Sequence, residues 1–190
     1  MHKTLDIHNM VLAVIFSAFG ILVPMLFHLL GLGSIFLPMF LPLAVGAFFL
    51  SPLNALLLGI FTPLASAVLT GMPPFYPPMA LIMMAGLGVF CVLISLLSHH
   101  TSLPRVAVLS FAIIAERLVL LLFLAVVMPA LKISFTAFSL YELLKGLPGI
   151  ILILATVPFL VNRVKQVISR RSLRLFEHSH EGNSIYEKSH

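Results

Sequence analysis

The residues best suited to chemistry in this chain are Glu116 and Arg117, which stand side by side in the apolar run AIIAERLVLLL. An ionisable group in the middle of a membrane span costs at least about 2.5–3.5 kcal/mol, so such groups normally face a cavity or a partner. Arg117 suits a carboxylate or carbonyl group, and Glu116 suits an amine or a ring N–H. The pair is therefore either the polar anchor of a pocket or an ionic link between helices.

A second group of polar residues opens the last apolar run, before the sequence Gly-Leu-Pro-Gly at 146–149. Tyr141 and Lys145 share a helix face because they are four residues apart, and Glu142 can pair with Lys145 three residues on. These side chains suit ligand binding, or they reach towards the membrane interface. His28, at the end of the first apolar run, is a further pocket candidate.

Signatures of enzymes are missing from the sequence, which contains no HExxH, GxSxG or Walker motif. The single cysteine, Cys91, excludes an internal disulfide and a multi-cysteine metal site, and the histidines have no metal-ligand spacing. We predict a protein that is not an enzyme, with no metal, no cofactor of its own and no nucleic-acid partner. The alternative is a small intramembrane enzyme that uses Glu116 as its acid or base.

The elements that must position these residues are membrane spans. No Asp, Glu, Lys or Arg occurs between Asp6 and Arg105. The chain is 61% hydrophobic and 9% charged, with a mean hydropathy of +1.16, whereas soluble domains have about 25% charged residues. Apolar segments of about 20 residues match the thickness of a bilayer. The composition therefore predicts an integral membrane protein with no soluble domain.

Proline, glycine and polar clusters divide the apolar sequence into six predicted spans. The second is short and joins the third through Ser51-Pro52, so five spans with one re-entrant piece are the alternative. Basic residues cluster between 163 and 174, as is typical of a cytoplasmic end. We predict an all-α integral membrane protein, a six-transmembrane-helix bundle with cytoplasmic N- and C-termini, with spans at 9–29, 38–50, 52–69, 77–97, 103–127 and 141–161. Residues 1–165 form its single domain, and 166–190 form a basic, disordered cytoplasmic tail.

This topology places the first, third and fifth connections on the outer face. They are weakly charged and rich in Phe, Pro, Gly or Met, and such loops suit the apolar walls of a small-molecule site. Phe75 and Tyr76 of the third connection suit stacking on a heteroaromatic ring, or they anchor the loop at the membrane interface. The sequence thus favours a binding site on the outer side.

Three segments, FLPMFLPLAVGAFFLSP, PLASAVLTGMPPFYPPM and KGLPGIILILATVPFLV, follow a first span with small residues. Together they resemble the substrate-binding S components of energy-coupling factor (ECF) transporters, in the vitamin and vitamin-precursor group. The resemblance covers most of residues 9–165. It implies a capture subunit for a water-soluble vitamin or precursor in the plasma membrane of a prokaryote, with the first outer loop as a lid.

The resemblance also implies partners and site residues. S components dock on a transmembrane coupling subunit driven by two ATPase subunits, which use ATP, and a small-residue motif on the first helix meets the coupling subunit. Ala13 and Ser17 match that motif loosely, as Ala-xxx-Ser where the family often has Ala-xxx-Ala. The other alternative is a self-sufficient small-solute transporter. The residues that fall in the places of the family's pocket are His28, Ser34, Phe36, Phe75, Tyr76, Glu116, Arg117, Tyr141, Glu142 and Lys145.

Overall fold

The computed structural model describes residues 7–29, 31, 36–75, 79–130 and 146–166, and within these ranges the chain forms six helices and no strand. Five of the helices are long and apolar enough to cross a membrane. They are α1 (Ile7–Leu29), α3 (Pro52–Thr70), α4 (Met79–His100), α5 (Arg105–Ala130) and α6 (Leu147–Gln166), and the remaining helix is α2 (Phe40–Ala47). The prediction of an all-helical membrane protein is confirmed for the described residues.

The outside of the long helices is apolar. Large side chains such as Leu22, Phe111, Leu122 and Ile151 are more than half exposed. In water, a continuous apolar surface of this kind marks a contact with another molecule or with lipid. On helices long enough to span a bilayer, it is the surface that lipid tails cover. The structure is therefore that of a multi-pass membrane protein.

The short helix α2 lies in the centre of the bundle. Its eight residues rise about 12 Å, which is less than half of a bilayer's hydrocarbon thickness. Phe40 and every residue from Pro42 to Ala47 are buried, and the ring of Phe40 packs against Phe90 of α4 with 5.2 Å between centroids. Because its surroundings are α1, α3 and α4, α2 is apolar on every face. The predicted span 38–50 is thus a short buried helix with non-helical ends.

The segment around α2 nevertheless runs from one end of the bundle to the other. At its start, Phe36 lies against the backbone of Gly149, beside the first turn of α6. At its finish, the carbonyl oxygen of Leu50 accepts a hydrogen bond of 2.7 Å from Ser95 Oγ near the last turn of α4. His99 Nε2 lies 3.3 Å from the same oxygen. Residues 36–50 therefore traverse the bundle.

Among the described residues, the two ends of the bundle differ in charge. Arg105, at the start of α5, donates a hydrogen bond to Asn162 Oδ1 near the end of α6. Arg163 lies over the ring of Phe159 at 5.0 Å, and Lys165 follows. We call this the basic end. The opposite end, where α1 and α3 finish and α4 begins, contains the cavity described below and is called the cavity end.

A first prediction concerns the bond that fixes α2 at the basic end. Ser95→Ala removes the fully buried donor to Leu50, and we expect the free energy of unfolding to fall by about 1 kcal/mol, the usual net value of one hydrogen bond. Ser98→Ala is the matched control, since its hydroxyl bonds only the carbonyl of Ser95 within α4. If the two variants have equal unfolding midpoints in detergent, the hydrogen bond from Ser95 to Leu50 does not stabilise the fold.

Candidate functional site

A cavity of about 660 Å³ lies at the cavity end, within the range of small-molecule sites. Four parts of the chain form its walls: the end of α1, the residues that lead into α2, the end of α3 with the loop after it, and the start of α4. The lining residues are Pro24, Met25, His28, Leu29, Leu37, Pro38, Met39, Phe40, Ser66, Thr70, Met72, Pro73, Pro74, Met79 and Met83.

Hydroxyl groups hold the loop after α3 against the cavity. The helix ends at Gly71, whose left-handed φ of 73° turns the chain. Ser66 Oγ then donates to the carbonyl of Met72 over 2.7 Å, and Thr70 Oγ1 donates to the carbonyl of Ser66 over 2.7 Å. Thr70 Oγ1 also accepts from Met72 N–H over 3.3 Å. Residues 72–74 form one wall of the cavity, and the Ser66 hydroxyl, whose proton is already used, presents acceptor lone pairs.

The cavity lining is rich in methionine and poor in charge. Five of the nine methionines of the chain line it, and His28 is its only titratable side chain among the described residues. Methionine is flexible and polarisable, and it makes favourable contacts with aromatic rings. The cavity is therefore suited to a largely apolar, ring-containing molecule.

Glu116 and Arg117 form an ion pair inside the bundle. Arg117 Nε lies 3.2 Å from Glu116 Oε2, and their side chains are only 13% and 7% exposed. The two atoms are close, but their alignment is too poor for a hydrogen bond. Among the described residues, Glu116 Oε2, Arg117 Nε and Arg117 Nη2 therefore have no hydrogen-bond partner. Since the two residues are neighbours on α5, the contact does not link two helices. Burial without a partner is unfavourable for polar atoms, and it marks this pair as a binding candidate.

Two glycines make room for the pair. A Cβ on Gly86 of α4 would meet Glu116 Oε1 at 3.3 Å, and one on Gly146, before α6, would meet Arg117 Nη2 at 2.9 Å. The pair thus lies between α4 and the beginning of α6. It is also close to the cavity, because Met83, which lines the cavity, is one helical turn from Gly86 on the same face of α4.

The predicted site residues fall into separate places. His28 lines the cavity, and Glu116 and Arg117 lie together beside it. Phe36 packs on Phe27, with 6.1 Å between ring centroids, and Phe75 is exposed and outside the lining. Among the described residues, the structure therefore brings three of the predicted side chains to the cavity or its flank. The others, Ser34, Tyr76, Tyr141, Glu142 and Lys145, lie outside the described residues.

The two predicted coupling residues face the bundle. Ala13 packs against the main apolar core, and Ser17 Oγ accepts a hydrogen bond of 3.0 Å from Thr62 of α3. The face of α1 left open to the surroundings is the other one, with Val14, Phe19 and similar residues. Both contacts are with other helices of this chain, and coupling through Ala13 and Ser17 stays a prediction.

Sequence reasoning missed the methionines, Ser66 and Thr70. A signal for two of the methionines was present, since Met79 and Met83 are four residues apart and so share a face of α4. Metal binding has no support within the described ranges, where no group of three His, Cys, Asp or Glu residues is close enough to hold an ion.

Comparisons of the chain with protein-family models, with curated proteins and with solved structures give no match. The function of the chain is therefore inferred from its own residues and geometry.

Proposed function

We propose that this protein is a membrane-embedded capture subunit that takes up a small molecule, of the water-soluble vitamin or vitamin-precursor type, at its outer face. The observation that carries the proposal is the cavity of about 660 Å³ at one end of a membrane bundle, flanked by the buried Glu116–Arg117 pair. A mostly apolar cavity with a few polar anchors is the usual form of a small-molecule site. Capture of a small molecule requires binding only and no reaction catalysed by the chain.

The proposed orientation places the cavity outside. Arg105, Arg163 and Lys165 lie at the opposite end, and positive residues favour the cytoplasmic side. Because residues 36–50 traverse the bundle, we count them as a membrane crossing, which gives six crossings with both termini inside. The membrane is proposed to be the plasma membrane of a prokaryote. A solute arriving from outside would then meet the cavity directly.

The proposed partners follow from the resemblance to S components. They are a transmembrane coupling subunit and two ATPase subunits, since the sequence contains no nucleotide-binding motif of its own. Purifying the tagged protein from its native membranes is expected to bring these subunits with it, and uptake of the captured molecule should stop when the ATPases are inactivated. Uptake that continues without any ATPase would favour the self-sufficient transporter instead.

The enzyme alternative depends on Glu116. Its carboxylate contacts Arg117 of the same helix and lies beside Gly86, and no second acid or base touches it among the described residues. A carboxylate beside a cavity can accept a hydrogen bond from a ligand without moving a proton, whereas general acid–base chemistry also needs a reacting group of the substrate within its reach. We therefore prefer binding, and turnover of a lipid or other substrate by the purified protein would reverse this preference.

Filling the cavity is expected to abolish capture. Met83→Trp places a large ring in the cavity from α4, and we expect the amount of small molecule extracted from the purified variant to fall about tenfold or more, corresponding to at least about 1.4 kcal/mol of lost affinity. Leu81→Trp is the matched control, because Leu81 is on the same helix at nearly the same depth but is 52% exposed and outside the lining. Equal losses in both variants would mean that the cavity is not the binding site.

A further inference from the structure

We infer that the molecule bound here is uncharged and presents a hydrogen-bond donor and an acceptor on one edge, as a carboxamide or lactam does, to Glu116 and Arg117. The inference depends on the proposed capture function and narrows its ligand to a chemical class. It follows from the charge balance of the site, from its unpaired atoms and from the position of the pair beside the cavity.

The charge balance of the described residues favours an uncharged ligand. Glu116 and Arg117 have opposite formal charges that cancel, and the described cavity lining contains no Asp, Glu, Lys or Arg. The other charged side chains of the described residues, Arg105, Arg163 and Lys165, lie at the basic end. Among these residues, a carboxylate or an ammonium group would find no counter-charge beyond the one that Glu116 and Arg117 already give each other, and burial of an unpaired charge is strongly unfavourable.

The unpaired atoms define what the ligand must supply. Oε2 of Glu116 is an acceptor, and Nε and Nη2 of Arg117 are donors. Glu116 is only 6% exposed, so a partner for these atoms must reach into the bundle. An amide edge provides both kinds of group: its N–H donates to Oε2 and its carbonyl oxygen accepts from the guanidinium. A carboxylate offers acceptors only, and an amidinium offers donors only, so that each leaves one member of the pair facing a like charge.

The position of the pair allows one molecule to use both features. Met83 in the cavity wall is one turn from Gly86, which contacts Glu116. On the other side, Leu37 lines the cavity and packs against Gly149, one turn from Gly146 and Arg117. The apolar body of the ligand would therefore lie among the methionines, with its polar edge towards α5.

Three probes of the same shape test the charge and the edge. Naphthamide, naphthoate and naphthamidine share a ring system and carry a neutral, a negative and a positive group. The change in thermal unfolding midpoint of the purified protein, measured against probe concentration, gives each affinity. We expect the wild-type protein to bind naphthamide about tenfold more tightly than either charged probe. Glu116→Gln, which leaves a lone positive charge, should shift the preference to naphthoate, and Arg117→Gln should shift it to naphthamidine.

The wild-type result decides the inference even if a variant does not fold. Tighter binding of either charged probe, equal binding of all three, or binding of none would overturn it. The capture function is judged separately with the cavity variants: a charged probe whose binding is lost in Met83→Trp and kept in Leu81→Trp would retain the cavity as the binding site and remove only the uncharged class.

Discussion

Replacing Gly59 with alanine is expected to lower the free energy of unfolding by about 3 kcal/mol, the upper part of the usual range for overpacking. A Cβ at this position of α3 would lie 2.6 Å from the carbonyl carbon of Leu87 and 2.8 Å from Cα of Gly88. Both atoms belong to the backbone of α4, so the two helices would have to separate. Small residues permit such close approach of membrane helices.

Gly88→Ala is the matched control for this prediction, because it adds the same methyl group to the other side of the same interface. Its Cβ would meet Ile60 Cγ1 at 3.2 Å and Leu56 Cδ1 at 3.4 Å, which are side-chain atoms that can rotate away. We expect a loss below about 1 kcal/mol, since small volume changes that side chains can absorb are tolerated. Unfolding midpoints of both variants in one detergent measure the difference, and equal losses would contradict the α3–α4 contact described here.

Breaking the Glu116–Arg117 pair is the second change with a large expected effect. Arg117→Met leaves Glu116 as an unpaired buried charge, and Glu116→Gln leaves Arg117 in the same state. Removing one partner of a buried pair typically costs about 3–5 kcal/mol. We therefore expect both single variants to unfold at clearly lower temperature than the wild-type protein.

The double variant, Glu116→Gln with Arg117→Met, separates stability from binding. It contains no unpaired charge, so its stability should be higher than that of either single variant, a positive coupling of the kind that double-mutant cycles measure. Like the single variants, the double variant should bind the ligand weakly, because the carboxylate acceptor and the guanidinium donors are no longer both present. A double variant whose loss equals the sum of the single losses would show that the two side chains do not act as a pair.

The long helices could be predicted from sequence because length and the lack of charge are strong signals. The expected first span, 9–29, and the third, 52–69, agree with α1 and α3 to within two residues at each end. The length and position of helix α2 could not be predicted in the same way. An apolar stretch gives the same pattern whether it faces lipid or is buried among other helices, so its short length and central position needed the tertiary structure.

The site was only partly predictable for a related reason. Glu116 and Arg117 stand out because charge is rare in a membrane span. His28 stands out because it is a polar residue near the end of the first span. Methionines do not stand out in an apolar sequence, because a methionine that faces lipid and one that lines a cavity cannot be told apart by residue type. Gly86 and Gly146 matter through the space they leave for the pair, a property that depends on how α4, α5 and α6 come together.

Native mass spectrometry of the wild-type protein, released from its native membranes, is the most direct test of the central claim that the cavity captures a small molecule. We predict a single adduct of organic small-molecule mass on each chain, retained through purification and identified after release as an uncharged ring compound with an amide-like edge. A protein that carries only lipid, or nothing, would contradict capture, while a charged small molecule in the cavity would preserve capture and contradict the inferred class.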